Sequence, residues 1–87
     1  MEKIVRILNE SGLHARPAAV FVKTASGYKS EIKIEAKGTC LNAKSIMNIL
    51  SLGAKMGDEI KIIANGPDEE EAIQGLVKLV GSKFEGV

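Results

Sequence analysis

Ser30-Glu31-Ile32-Lys33-Ile34-Glu35-Ala36 alternates without a break between small or apolar and charged side chains. Side chains two apart on a strand share a face. Ile32, Ile34 and Ala36 therefore point one way, and Glu31, Lys33 and Glu35 the other. A strand with one wet face belongs to an antiparallel sheet, because parallel sheets are covered on both sides. Ile60, Ile62 and Ala64 repeat the pattern against Glu59 and Lys61. Two such strands predict a sheet with helices on one face and water on the other.

The rest of the chain fits around these strands. Lys37-Gly38 turns into a short strand near Thr39 to Asn42. Ile4 to Leu8 reads as the first strand, with Val5 and Ile7 inward and Arg6 in solvent. Asn9-Glu10-Ser11-Gly12 has turn chemistry. A helix follows, with Pro17 in its first turn, Ala18, Phe21, Val22 and Ala25 at helical spacing, and a stop at Gly27. A short helix runs from about Ser45 to Leu52 and ends at Gly53. Asn65-Gly66-Pro67 breaks the fourth strand. Asp68 and Glu71 have the spacing of a capping box for the last helix, whose apolar stripe is Ala72, Ile73, Leu76, Val77 and Val80, with Phe84 a turn later. Gly75 weakens that helix by ~1 kcal/mol relative to alanine. The order β-α-β-β-α-β-α is an α+β open-faced β-sandwich, expected as a single domain over residues 1–87.

Composition removes several functions. Twelve Lys and Arg balance eleven Asp and Glu, a net charge of +1, with no concentrated basic stripe. One Tyr, two Phe and no Trp leave little for stacking bases. We expect no nucleic-acid partner. The longest fully apolar stretch, Ala18 to Val22, is far short of the ~20 residues of a membrane span, and Met1-Glu2-Lys3-Ile4 opens without the apolar segment of a secretory signal. Cys40 has no second cysteine to pair with, which fits a reducing compartment. A cytoplasmic location is expected. One Cys and one His make no zinc cluster, and Glu69-Glu70-Glu71 is a helix start. No metal or cofactor is expected.

Chemistry concentrates in Ser11-Gly12-Leu13-His14-Ala15-Arg16-Pro17-Ala18. The chain's one histidine stands directly before a helix, where the first N–H groups lack partners and carry partial positive charge. An imidazole there can keep a ring nitrogen lone pair available as a nucleophile. The backbone N–H groups and Arg16 form an anion site beside it. Positioning and charge stabilisation are most of what phosphoryl transfer requires. A plainer reading also fits: the ring caps the helix and Arg16 lies in solvent.

Gly12-Leu13-His14-Ala15-Arg16-Pro17-Ala18 resembles the active-site signature of the HPr family, the histidine phosphocarriers of the bacterial phosphoenolpyruvate-dependent sugar phosphotransferase system. Asn42-Ala43-Lys44-Ser45-Ile46-Met47-Asn48-Ile49-Leu50-Ser51-Leu52-Gly53 resembles that family's regulatory serine segment, with Asn48 where the regulated subset commonly has glycine. The resemblance covers essentially the whole chain. It implies a four-stranded antiparallel sheet of order 1-4-2-3 with three helices on one face. It implies phosphorylation of His14 at Nδ1, charge neutralisation by Arg16, and a helix start shaped by Pro17. The implied donor is phosphorylated enzyme I and the implied acceptor an enzyme IIA domain, met by a monomer that is a substrate of other enzymes rather than an enzyme. Ser45 would be phosphorylated by HPr kinase/phosphorylase and read by a catabolite-control transcription factor. Apart from regulation, Ser45 is an N-cap.

Ile46, Met47 and Leu50 exceed what one buried helix face can use. Leu50 is expected in the core and Met47 outside it, where a thioether adapts to several partners. Val20, Lys23, Ile46 and Met47 are the expected docking residues. Two other functions compete: an HPr-like protein of a regulatory phosphorelay (nitrogen-type or catabolite-control), and a small ligand- or RNA-binding module. The second gives no reason for His14 beside Arg16 at a helix start.

Overall fold

The computed structural model describes residues 1–84; the last three positions of the expected 1–87 domain lie outside the described residues. The elements follow in order: β1 (Glu2–Arg6), α1 (Ala15–Ser26), β2 (Glu31–Ala36), β3 (Thr39–Asn42), α2 (Ile46–Ser51), β4 (Glu59–Asn65) and α3 (Glu69–Gly81). The four strands form one antiparallel sheet of order β1-β4-β2-β3, as the resemblance implied. β1 lies two residues earlier than Ile4 to Leu8. Its inward side chains are still Val5 and Ile7, because Ile7 continues past the last paired residue into the core at 0% exposure.

Alternation places the dry face. Ile34 pairs with Ile62, Ile32 with Ala64 and Val5 with Ile60. Ile32, Ile34, Ile60 and Ile62 are buried beneath Phe21 and Ala25 of α1, Ile49 of α2, and Ala72, Leu76 and Val80 of α3. Burying a side chain of this kind stabilises the fold by about 1.5–3 kcal/mol. On the bare face Ile4 lies opposite Lys61 and remains exposed, and the ion pairs Arg6–Glu59 and Lys61–Glu2 are solvated. The β2–β3 hairpin turns on two left-handed residues, Lys37 and Gly38, the arrangement that matches the twist of the flanking strands. Among the described residues no helix is long and apolar enough to cross a membrane.

Three expectations change. Leu50 is 39% exposed, not core. α2 is only six residues long, and Ile49 is the residue it buries. Leu79, absent from the expected stripe, is buried in α3. The capping box does not form either. Asp68 is the N-cap of α3 but makes no side-chain cap bond. Its carboxylate accepts instead from the N–H of Lys29 (2.8 Å), the N–H of Ser30 (2.9 Å) and the Ser30 hydroxyl (2.5 Å). Asp68 thus ties the start of α3 to the start of β2. At the helix entry Glu69, not Glu71, accepts from the Gly66 N–H at 3.3 Å. Gly75 has a packing reason: a Cβ there would overlap the Tyr28 hydroxyl.

Those donors, the Ser30 hydroxyl first and the Lys29 N–H next, lower the Asp68 pKa from 3.8 to about 2. A carboxylate lowered by folding contributes stability above its unfolded pKa and loses it as pH falls through the folded value. The Asp68→Ala variant is therefore expected to be less stable than the parent at neutral pH, and the gap should narrow as pH falls from 3.8 toward about 2. Urea unfolding across that range measures it. A gap independent of pH would show that the ionised carboxylate contributes nothing.

Candidate functional site

His14 is placed by a chain of backbone contacts. β1 hands the chain on at Ile7, whose N–H donates to Asp58 O and whose carbonyl accepts from Gly57 N–H. Asn9 then organises the turn: its side-chain amide nitrogen donates to Gly12 O (2.8 Å) and Ser11 Oγ (3.0 Å), and its backbone carbonyl accepts from Gly12 N–H (3.0 Å). Gly12 takes φ +61, and a Cβ there would lie 2.5 Å from Ala54 O and 2.9 Å from Lys55 Cα. The next residue, buried Leu13, donates its N–H to the same Ala54 oxygen at 3.0 Å. Ala54 and Lys55 are held in turn by Asp58, which accepts from Lys55 N–H at 2.9 Å and pairs with Lys37 at 3.5 Å. The Lys55 N–H, and after it the charges of Lys37 and Lys55, keep the Asp58 pKa below its usual value.

His14 comes out of this support as the N-cap of α1, with φ −80° and ψ −170°. Its carbonyl accepts the first helical bond, from Ala18 N–H at 2.9 Å. Its ring makes no cap bond. The side chain is exposed, and no hydrogen bond reaches it from the described residues. The plain capping reading is thereby removed. Pro17 has no N–H, so the open donors of the first turn are those of Ala15 and Arg16. No acidic residue occupies that turn, so the positive helix end is not offset locally. The exposed Arg16 guanidinium adds a full charge to it.

Two hollows flank the ring. One, of about 370 Å³, is shared by His14 with Asn9, Ser11, Arg16, Pro17, Val20, Lys83 and Phe84. The other, of about 390 Å³, runs from His14 toward α2 along Leu13, Leu50, Gly53, Ala54 and Lys55. On the α2 side Ile46 and Met47 are 43% and 78% exposed. Leu50 thus joins the histidine to an apolar surface. Of the expected docking residues, half-buried Val20 lines the first hollow, and Lys23 is exposed one turn further along α1. Ser45 is the N-cap of α2, half-buried, with Oγ accepting from Asn48 N–H at 3.4 Å. The Asn48 side chain donates to Asn42 O at 3.1 Å and ties that helix start to β3. Sequence reasoning missed Asn9, Gly12, Leu50, Lys83 and Phe84. Only Asn9 and Gly12 left a signal, as turn-forming residues three apart.

The fold is thus a small open sandwich with an exposed histidine at a helix start. The family model described as the phosphorylation site of the PTS HPr component matches residues 1–82. Phosphocarrier protein HPr of Treponema pallidum (strain Nichols) is 42% identical over 83 residues, covering 95% of this chain and 94% of that one. The crystal structure of HPr-C-His from Thermoanaerobacter tengcongensis superposes with a TM-score of 0.95 at 52% identity, covering 100% of this chain and 98% of that one. Crh, the Bacillus subtilis catabolite repression containing protein, superposes with a TM-score of 0.77 at 42% identity over 91% of each chain. The chain belongs to the HPr family of phosphotransferase-system phosphocarriers.

Proposed function

We propose that this chain accepts a phosphoryl group on His14 from phosphorylated enzyme I and passes it to enzyme IIA domains during sugar uptake. The observation that carries this reading is the exposed ring of His14, bonded to none of the described residues, at the open amino end of α1. In the forward step the Nδ1 lone pair attacks phosphorus. An N–P bond forms, and the donor's bond to phosphorus breaks with its electron pair staying on the donor. The second step repeats this with His14 as donor. Ala15 and Arg16 N–H groups and the Arg16 guanidinium meet charge on the phosphoryl oxygens. Pro17 fixes the first turn, and the N–H it lacks leaves those two donors as the cradle. The test is incubation with labelled phosphoenolpyruvate and enzyme I. The expected product carries acid-labile, base-stable phosphate that passes to an enzyme IIA domain; acid-stable label would overturn the reading.

The same proposal assigns Val20, Lys23, Ile46 and Met47 to the docking surface, with Leu50 added by its exposure. Apolar side chains standing in water are what brief association with larger proteins uses. Regulation belongs to it too. HPr kinase/phosphorylase would phosphorylate Ser45, and a catabolite-control transcription factor would read the product. A helix start accommodates the added charge of about −2, so modification changes recognition without unfolding α2. Ser45→Asp is expected to slow phosphoryl acceptance from enzyme I several-fold, because it puts negative charge on the surface the donor must approach. Rates equal to the parent's would count against Ser45 as a control point. A purely regulatory relative has no use for a nucleophile, so the accessible His14 favours the carrier over a catabolite-control role alone.

A further inference from the structure

Arg16 alone leaves the site under-charged for its cargo. A phosphoryl group bound to nitrogen carries close to two negative charges at neutral pH, as phosphate monoesters do. The first turn of α1 offers one guanidinium and two N–H dipoles. A second full cation comes from the other end of the chain. Lys83 lines the 370 Å³ hollow with His14 and Arg16, and no carboxylate is among the described residues lining it.

The backbone that brings Lys83 there is unusual. Lys83 and Phe84 have φ values of +60° and +64°. Two consecutive non-glycine residues in the left-handed region are strained, because each Cβ crowds the following carbonyl oxygen. The turn is held by Lys83 N–H donating to Val80 O at 3.0 Å and Phe84 N–H donating to Leu79 O at 2.9 Å. Phe84 packs against the core while also lining the hollow. The strain is therefore offset by an anchored ring, and the anchor keeps the preceding lysine at the edge of the histidine site. Lys83 is itself exposed and forms no ion pair with the described residues.

We infer that Lys83 is a second phosphoryl-binding cation of the His14 site, meeting with Arg16 the dianionic group held on the ring. The inference rests on the phosphocarrier reading for its cargo, but the chemistry it requires is recognition of a phosphate dianion. That can be measured without any transfer. Inorganic phosphate is titrated into the ¹⁵N-labelled protein, and the Ala15 and Arg16 amide shifts give an apparent affinity. Lys83→Gln keeps an unbranched polar side chain and removes the charge. It is expected to weaken phosphate binding by about threefold to fivefold, the range of an exposed ion pair. Lys83→Arg is expected to stay close to the parent. Acceptance from enzyme I should follow the same order. Equal phosphate affinities for the parent and Lys83→Gln would overturn the assignment. So would a loss in Lys83→Arg as large as in Lys83→Gln, because that traces the effect to shape and not to charge. Charge-dependent phosphate binding without labelling by enzyme I would sustain Lys83 as an anion ligand and remove the carrier reading alone.

Discussion

His14→Ala is expected to take up no acid-labile phosphate from phosphoenolpyruvate and enzyme I while remaining as stable as the parent to within about 0.5 kcal/mol. The two halves have separate causes. Alanine has no lone pair to attack phosphorus, and the chain contains no second histidine to substitute. The fold, by contrast, uses only the backbone of this residue. Its carbonyl receives Ala18 N–H, and its ring neither caps α1 nor fills the core. Labelling with urea unfolding in parallel measures both halves. Label retained on the variant would move the phosphorylation site elsewhere. A stability loss well above 1 kcal/mol would mean that the ring is structural, and its exposure would lose its functional meaning.

The elements of this fold were legible because their signals are local. Alternation in Glu31–Ala36 and Glu59–Asn65 assigns each strand a dry face without reference to the rest of the chain. The strand order is not local: β1 pairs with β4 across more than fifty positions, and it came from the resemblance. The local readings failed where one residue pattern serves two purposes. Asp68 followed by three glutamates fits a capping box, but the donors that won its carboxylate, at Lys29 and Ser30, lie 39 and 38 residues away. Leu50 failed for a different reason. In a six-residue helix periodicity is too short to choose a buried face, and packing against β3 and α1 chose Ile49.

The site divides along the same line. His14, Arg16 and Pro17 are neighbours in sequence and stand at one helix start, so the chemistry proposed for them could be read directly. Ala54, Lys55 and Asp58 hold the loop from 40 or more residues away, and Lys83 arrives from beyond α3. Nothing in the spacing of those residues points to a histidine in another part of the chain. Supporting groups of this kind fix the geometry that the reactive group needs, and they become visible only once the backbone is closed.

Gly12→Ala tests that support and is expected to cost about 2–3 kcal/mol and to slow phosphoryl acceptance. Two penalties combine. A φ of +61° is unfavourable for alanine by roughly 1 kcal/mol. The remainder is steric, because the new Cβ would stand 2.5 Å from Ala54 O. That oxygen cannot yield freely, since it accepts the Leu13 N–H at 3.0 Å and its neighbour Lys55 is tied to Asp58 at 2.9 Å. Relief must come from the 9–13 loop, which carries His14 with it. A misplacement of about 1 Å can cost a hundredfold in a positioned reaction. Gly38→Ala separates the two penalties: its φ is +80°, but nothing lies within 4 Å of its Cβ, so it bears the conformational cost alone. Urea midpoints for the two variants should differ by the steric share, and only Gly12→Ala should slow labelling. Equal losses at the two glycines would mean that the loop is not pinned against Ala54, and that the histidine is positioned by α1 alone.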